Sequence, residues 1–345
     1  MQPNEVSERM MMNQSSTRLN DIYIKLNNTI EPMIILLGTI GNLISIYVFS
    51  RPAVRSSCST YFFALSVNNF PVLYFGVLTR MLADGFSIDP TRYSAFFCKF
   101  RNYFSYVVYQ LTPWLTLLAT IDRWCASSTN PNVRKFSTIY VSYRVIFAAT
   151  LILALSNLHM FIFFEIHVKY SICIPKAGIY TKFFSTSAWI MGLLCLSLTI
   201  LFGLLTMSNI RQQRCRYRQL DRQLSFMVLF YALLYIILGI PFSFLTFLST
   251  MLTRKGHVFH FITNLSRITL NMSYCLTFNM YGLGARLYRY EFFNVINKIS
   301  YYTLGINVIT FQVPHTQSRF IQVRRMENRK STELALLPIS TTARK

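Results

Sequence analysis

Charged residues are scarce in this chain of 345 residues, at 13% of the sequence against 53% hydrophobic residues. Acidic side chains are scarcer still, with 12 Asp and Glu against 34 Lys and Arg. The mean hydropathy of +0.37 is high for a soluble protein. These values fit a polytopic membrane protein better than an ordinary soluble domain.

Signatures of several other protein classes are absent. No series of ten-residue segments alternates between polar and apolar residues, which argues against a β-barrel. No His–Glu pair has metal-binding spacing and no glycine-rich phosphate loop occurs, so we expect neither an enzyme nor a cofactor or metal site. Residues 1–20 show no cleavable signal peptide, so the first hydrophobic helix is expected to direct membrane insertion.

Hydrophobic runs predict an all-α membrane protein, a bundle of seven transmembrane helices. Each run is about 20 residues or longer, which suffices to cross about 30 Å of hydrocarbon as a helix. The predicted spans are residues 32–50, 60–82, 98–123, 143–165, 183–207, 223–249 and 258–282. The fourth run is the weakest because Arg144, Asn157 and His159 interrupt it, and six spans would remain without it.

Basic residues in the loops predict the orientation. Loops after odd-numbered spans hold nine Lys and Arg, whereas loops after even-numbered spans hold six. The C-terminal tail is also basic, and the positive-inside rule places such segments in the cytoplasm. We predict a plasma-membrane protein with an extracellular N-terminal tail (1–31), a seven-helix domain (32–282), an amphipathic membrane-surface helix (283–299) and a cytoplasmic basic tail (300–345).

The net charge of +22 has two interpretations. A strongly basic chain can bind nucleic acid. Here, however, the basic residues flank apolar helices and form no separate soluble domain. The expected partner is therefore the anionic surface of the lipid bilayer and not nucleic acid.

Modification sites on the outer side follow from this orientation. Asn13 and Asn27 fit the N-glycosylation pattern and lie in the predicted extracellular tail. Of the seven cysteines, only Cys98 and Cys173 lie at or beyond the predicted outer surface. That compartment is oxidising, so a disulfide is plausible, and the alternative is two free buried thiols.

Short motifs follow one another in a fixed order along residues 30–295. They are Gly41-Asn42, Cys98 at 24 residues before Asp122, the triplet Asp122-Arg123-Trp124, Pro241 and Tyr281. In this order and spacing the chain resembles the rhodopsin-like (class A) G-protein-coupled receptors. The resemblance implies a receptor that couples an extracellular ligand to a heterotrimeric G protein. It also implies receptor kinases and arrestin as partners of the Ser- and Thr-containing tail.

The chain departs from the family pattern at several positions. Asn69 replaces an aspartate in the second helix, Gly239 replaces a usual tryptophan in the sixth, and residues 277–281 lack the family's Asn-Pro pair. A neutral Asn69 cannot balance a buried cation, so we expect the family's sodium site to be lost or weakened. Asn42 and Asn69 are predicted to form a polar core within the transmembrane domain.

The end of the third helix carries the predicted switch. Neighbouring residues on a helix point in different directions, so Arg123 is expected to need a partner other than Asp122. Asp221 stands at the family's position for that partner, and its alternative role is a helix N-cap or first-turn acid. The resemblance adds Tyr281 to this switch and makes Pro241 the kink of a sixth helix that swings outward. Asp221→Ala is then expected to raise ligand-independent signalling.

A ligand pocket is predicted between the outer halves of helices three, five, six and seven. Its candidate residues are Arg101, Asn102, Ser105, Tyr106, Tyr109, Phe242, Ser243, Thr246, Arg267 and Asn271. Two interpretations remain open. The polar residues pair between helices, with Glu165 able to neutralise one arginine, or two buried arginines bind a carboxylate or an acidic peptide residue.

The resemblance also narrows the ligand class. Ser105 stands where monoamine receptors carry an aspartate, and Asn271 where opsins carry the retinal lysine. A peptide or another small molecule is therefore expected, with a peptide preferred. The alternative function is a multi-pass transporter or channel. Transporters place ionisable residues at mid-membrane and often contain inverted repeats, whereas the central thirds of these helices carry almost no acids and no repeat is visible.

Overall fold

A computed structural model describes residues 3–52, 54–167, 172–212, 219–252, 256–275, 292–294, 297 and 300–301. Within these ranges, side chains are described from Thr17 onward, apart from those of residues 219–221. The described architecture is a bundle of long helices with one short β-hairpin.

Ten α-helices and two strands follow one another within the described ranges. The helices are α1 (Pro3–Ser50), α2 (Ser57–Pro71), α3 (Thr79–Phe86), α4 (Ala95–Ser127), α5 (Pro131–Arg134), α6 (Ile139–Ser156), α7 (Met160–Phe163), α8 (Ile179–Gln212), α9 (Gln219–Met251) and α10 (His257–Met272). A π-helical segment, Val72–Leu78, joins α2 to α3, and a 3₁₀ turn, Pro90–Arg92, precedes α4. The strands β1 (Phe164–His167) and β2 (Ile172–Pro175) pair antiparallel.

Five stretches of the described chain are long and apolar enough to cross a membrane. They are Thr17–Ser50, Ser57–Phe86, Ile139–Phe163, Ile179–Gln212 and Arg222–Met251. The 33-residue α4 is not among them, because polar and charged side chains interrupt its apolar runs. The described part of the seventh predicted span, α10, has 16 residues. Length and composition are thus compatible with an all-α membrane protein.

The first helix begins earlier than the sequence predicts. The backbone is helical from Pro3 through Pro32 to Ser50, so much of the predicted N-terminal tail is helical and continuous with the first predicted span. Pro32 removes one backbone hydrogen bond without ending the helix. Contacts with α3 stabilise this extension, since the buried Asn27 donates a hydrogen bond to the carbonyl of Met81 at 3.2 Å.

The fourth predicted span ends earlier than residue 165. Helix α6 stops at Ser156, where the Asn157 amide donates to the carbonyl of Leu153 at 2.8 Å and to Gln110 Oε1 at 2.9 Å. A turn and the short α7 follow, and Phe164 begins β1. The helix is thus interrupted at Asn157, which binds α4 and the turn, while Ile139–Phe163 as a whole is long and apolar enough to cross a membrane.

Serine and threonine side chains cap the starts of α2, α4 and α6. Ser56, Ser94 and Thr138 precede α2, α4 and α6, and each accepts a hydrogen bond from the backbone N–H three residues further on. Such caps satisfy N–H groups that have no partner in the first helical turn. The Ser94 cap sets the start of α4, which carries Cys98 near one end and Asp122 near the other. We call these the disulfide end and the Asp122 end of the bundle.

Two hydrophobic clusters fill the bundle. The cluster toward the Asp122 end includes Phe62, Leu115 and Tyr231. Phe292 is buried in it and Phe293 packs against it, so these two residues of the predicted membrane-surface helix contact the bundle. The second cluster lies toward the disulfide end and joins residues of α1, the π-helical segment, α4 and α10.

Candidate functional site

A cavity of about 600 Å³ opens toward the disulfide end, between α4, α8, α9 and α10. All ten residues predicted as ligand contacts line it. They are Arg101, Asn102, Ser105, Tyr106, Tyr109, Phe242, Ser243, Thr246, Arg267 and Asn271. Pockets for small organic ligands commonly enclose about 300–1,000 Å³, so the space suits such a ligand or the end of a peptide.

Aromatic rings form the wall that α8 and α9 contribute to the cavity. Trp189 stacks on Phe247 with ring centroids 5.2 Å apart, and Tyr106 of α4 lies 4.6 Å from the ring of Phe184. Phe184, Trp189 and Phe247 were not among the predicted contacts. Their helices are apolar on most faces, so periodicity alone does not show which face turns inward.

The opposite part of the lining is cationic. Arg80, Arg101 and Arg267 line the cavity, and the described lining contains no Asp or Glu. The π-helical segment contributes Gly76 to the same wall, and a Cβ there would lie 2.5 Å from the hydroxyl oxygen of Tyr109. Glycine therefore lets the Tyr109 ring lie directly against this backbone.

Asp84 neutralises part of this charge. Its Oδ2 accepts from Arg267 Nη2 at 2.6 Å, from Arg80 Nε at 3.1 Å and from the Tyr23 hydroxyl at 2.6 Å. Arg267 also donates to the Tyr23 oxygen. We call Tyr23, Arg80, Asp84 and Arg267 the Asp84 cluster; it ties α1, α3 and α10 together.

Sequence reasoning did not identify the Asp84 cluster. Glu165, the acid it named as a possible partner for an arginine, is exposed on β1. The available signal was the spacing of Arg80 and Asp84, which are four residues apart and so share a helix face. The partners Tyr23 and Arg267 are 61 and 183 residues from Asp84, and only the packed bundle brings them together.

Other predicted pocket residues pair with neighbouring elements, as the first of the two interpretations expected. Ser105 Oγ donates to the carbonyl of Phe75 at 3.2 Å. The Asn102 amide donates to the carbonyl of Cys98 at 2.8 Å and to Cys173 Sγ at 3.0 Å. These contacts hold the side chains in place along the cavity wall.

The predicted cysteine pair is confirmed as a pair at disulfide distance. The Cα atoms of Cys98 and Cys173 are 5.6 Å apart and the sulfurs are bonded. Cys173 lies in β2 opposite Ile166 of β1. The link holds the hairpin against the start of α4, where Pro175 forms part of the cavity lining.

The predicted polar core forms between α1, α2 and the residues after α10. Asn69 Nδ2 donates to Asn42 Oδ1 at 2.9 Å, and Asn42 Nδ2 donates to the carbonyl of Tyr274 at 3.0 Å. Both asparagines are buried. Because buried amides need partners, these bonds fix the relative register of three chain segments.

Asp122 and Arg123 form a buried ion pair with each other. Arg123 Nε donates to Asp122 Oδ2 at 3.1 Å. The Arg123 side chain is 4% exposed and the Asp122 side chain is 2% exposed. Asp122 Oδ1 accepts from Ser57 and, at 2.9 Å, from Ser137. We call Ser57, Asp122, Arg123 and Ser137 the Asp122 cluster; it joins α2, α4 and the segment before α6.

This geometry corrects one step of the sequence argument. Adjacent residues on α4 were expected to point apart, but the long Arg123 side chain folds back onto Asp122. Asp221 lies in α9 with its side chain outside the described part of the chain, and Tyr281 lies outside it altogether. Pro241 lies within α9, which continues on both sides of it.

The structure also argues against one predicted glycosylation site. The Asn27 side chain is 1% exposed, and its amide nitrogen donates to the carbonyl of Met81 and to Asn28 Oδ1. An N-glycan on this nitrogen would have to displace α3, so the folded chain leaves no room for it. Asn13 lies in the helical backbone of α1, and its side chain is outside the described residues.

Within the described residues, no group of three or more His, Cys, Asp or Glu side chains could hold a metal ion. Comparisons with protein-family models and with curated proteins find no match to this chain.

Proposed function

We propose that this chain is a plasma-membrane receptor that couples an extracellular ligand to a cytoplasmic heterotrimeric G protein. In this proposal the bundle has seven spans, with α4 as the third and the segment that begins with α10 as the seventh. The disulfide end faces outward, so the cavity is the ligand site. The ligand is a peptide or a small molecule.

The observation that carries the proposal is the arrangement of α4. Its first half lines the cavity and its last turns carry the buried Asp122–Arg123 pair. A helix of 33 residues is about 50 Å long, so one element connects a ligand-sized space with an ion pair at the other end. Charged side chains in such a position are costly and usually serve a function.

The mechanism follows from this arrangement. With the bundle closed, Asp122 holds Arg123 and also binds Ser57 and Ser137, so α4 is fixed to its neighbours at this end. A ligand that contacts both α4 and α9 in the cavity favours a different packing of these helices. Release of the Asp122 cluster then exposes Arg123 to a G protein as α9 moves outward. A ligand shifts such an equilibrium only through its different affinity for the two states.

The test measures G-protein activation in cells that express the chain together with a set of promiscuous or chimeric G proteins. Asp122→Asn is expected to raise ligand-independent activation about fivefold, since a bias of about 1 kcal/mol changes a population by roughly that factor. Arg123→Ala is expected to abolish activation. Surface expression is measured for each variant, and Asn132→Ala on the exposed α5 is the control.

The proposal fails if neither the wild type nor Asp122→Asn activates any G protein at normal surface expression, with or without a peptide and metabolite library. Ionic current or solute uptake in the same cells would then assign the chain to the channel or transporter class.

A further inference from the structure

Arg101 differs from the other two arginines of the cavity. Its Nε donates to Thr79 Oγ1 at 2.8 Å. The remaining N–H groups of its guanidinium have no hydrogen-bond partner among the described residues, and no described carboxylate lies at ion-pair distance. A guanidinium offers five N–H donors in a planar fork, so most of its binding capacity is unused.

Asp84, Asp89 and Glu31, the carboxylates near the cavity, each have a partner, although the buried Oε2 of Glu31 accepts no hydrogen bond from the described residues. Asp84 is shared by Arg80 and Arg267 through a single oxygen, and Asp89 pairs with Arg92 at 3.5 Å. Glu31 accepts from the amide of Asn271 at 2.9 Å. Two arginines therefore share one carboxylate, and Arg101 adds a further positive charge to a partly buried wall.

We propose that the cavity binds a ligand with one carboxylate, which Arg101 holds, and an apolar body that lies on the aromatic wall of Trp189 and Phe247. A carboxylate matches the planar fork of arginine and forms strong charge-assisted hydrogen bonds with it. The stacked rings across the cavity offer a large apolar surface. This inference rests on the proposed function only in treating the cavity as the ligand site.

Two further polar atoms sharpen the description of the ligand. Asn271 Oδ1 and Arg267 Nε are buried in cavity-lining residues and have no hydrogen-bond partner in the described structure. The orientation of the Asn271 amide is set by its nitrogen, which donates to Glu31. Because protein encloses both atoms, a ligand contacts them only if a neighbouring side chain moves aside; a donor such as a peptide N–H would then pair with Asn271 Oδ1 and an acceptor with Arg267 Nε.

The carboxylate can come from two sources. One is a hydrophobic carboxylic acid, and the other is a short peptide with a free C-terminal carboxylate or an acidic side chain beside aromatic residues. The experiment uses both as probes: long-chain and arylalkanoic acids, and aromatic tripeptides with a free C-terminus. Each acid is matched with its primary amide, which keeps the size and apolar surface but removes the charge.

Binding is measured as the thermal stabilisation of the purified full-length protein in lipid nanodiscs, because a bound ligand raises Tm. At least one acid is expected to bind about 10- to 100-fold more tightly than its amide, the range for a hydrogen-bonded charged group. Arg101→Gln is expected to remove this preference, and Arg101→Lys to retain part of it. Lys99→Gln is the matched control, a cation on α4 that does not line the cavity.

The possible results distinguish the carboxylate site from the proposed receptor function. Equal binding of acids and amides, a preference that survives Arg101→Gln in folded protein, or no binding by either class of acid overturns the inference. Acid binding without G-protein activation leaves the carboxylate site in place and counts against the proposed receptor. Activation by a neutral ligand that is insensitive to Arg101→Gln supports the receptor and removes the carboxylate site.

Discussion

The disulfide end and the Asp122 end each hold an aspartate paired with arginine, and the two pairs are built differently. At the Asp122 end, one carboxylate serves one arginine, and two serines occupy its other oxygen. At the disulfide end, two arginines share one oxygen of Asp84 beside a cavity. The first arrangement closes a polar cluster inside the bundle. The second leaves positive charge on a wall that a ligand can reach.

The chemical groups are the same at both ends. The difference arises from how deeply these groups are buried and from the number of arginines for each carboxylate. Side chains of the Asp122–Arg123 pair are at most 4% exposed, whereas Arg267 and Asp84 are 13% and 18% exposed and Arg80 is 49% exposed. A buried charge depends on its partner, while a charge near water is solvated without one. Substitutions at the two ends should therefore differ in effect.

The largest effect is expected from Asp122→Asn. Removal of the carboxylate leaves Arg123 buried beside a neutral amide, and loss of one partner of a buried pair costs about 3 kcal/mol or more. The free energy of unfolding of the purified protein is the quantity to measure. Ser137→Ala, which removes a single hydrogen bond to the same carboxylate, is the control and should cost about 1 kcal/mol. Equal effects of the two variants would contradict the view of a closed, charge-dependent cluster.

Asp84→Asn should have a smaller effect, of about 2 kcal/mol, because water at the cavity partly solvates the arginines. The matched substitution Arg80→Gln removes the more exposed partner and should cost about 0.5 kcal/mol or less. The Tm of each variant, measured at low and at high salt, distinguishes the two substitutions. If Arg80→Gln destabilised the protein as much as Asp84→Asn, the two arginines would contribute equally and the distinction drawn by exposure would be wrong.

Asn69→Ala tests the polar core between the two ends. The change removes the donor to Asn42 in a buried site and should cost about 1.5 kcal/mol in unfolding free energy. Asn132→Ala, on the exposed helix α5, should change stability by less than about 0.5 kcal/mol. An Asn69→Ala protein as stable as the wild type would show that the core does not hold α1 against α2.

Gly76→Ala should cost about 1 kcal/mol, less than Asp122→Asn, Asp84→Asn or Asn69→Ala, because the added methyl group must displace the hydroxyl of Tyr109 toward the cavity. The same shift should narrow the cavity and weaken the binding of any carboxylate ligand found. Gly192→Ala is the control, since Gly192 also lines the cavity and a Cβ placed there meets no atom within 4 Å beyond its chain neighbours and the nearby backbone of α8. Equal ligand affinity in the two variants would mean that Tyr109 does not limit the space.

Local chemistry made part of this structure predictable. Apolar runs predicted the long helices, because hydrophobic length is a property of consecutive residues. Spacings of four residues put Arg101, Ser105 and Tyr109 on one helix face, and all three line the same cavity. Asn157 and His159 marked the weakest span, and α6 ends beside them.

Contacts between distant segments account for the errors. Tyr23 was assigned to a tail, yet it is buried against α3 and bound to Asp84 and Arg267. Arg123 binds the adjacent Asp122 because its long side chain folds back, and Asp221, its predicted partner, has its side chain outside the described residues. Asn27 fitted a glycosylation pattern, but a three-residue pattern carries no information about burial.

The sequence by itself determined the helical, membrane-compatible class, because composition and hydrophobic length are properties of consecutive residues. Periodicity also placed Arg101, Ser105 and Tyr109 on one helix face, and all three line the cavity. Tertiary structure alone decided how charge is distributed over those residues. It joined Asp84 to an arginine 183 positions away and left Arg101 without an acidic partner among the described residues. Whether an arginine is neutralised depends on which groups the folded bundle brings within about 4 Å of it.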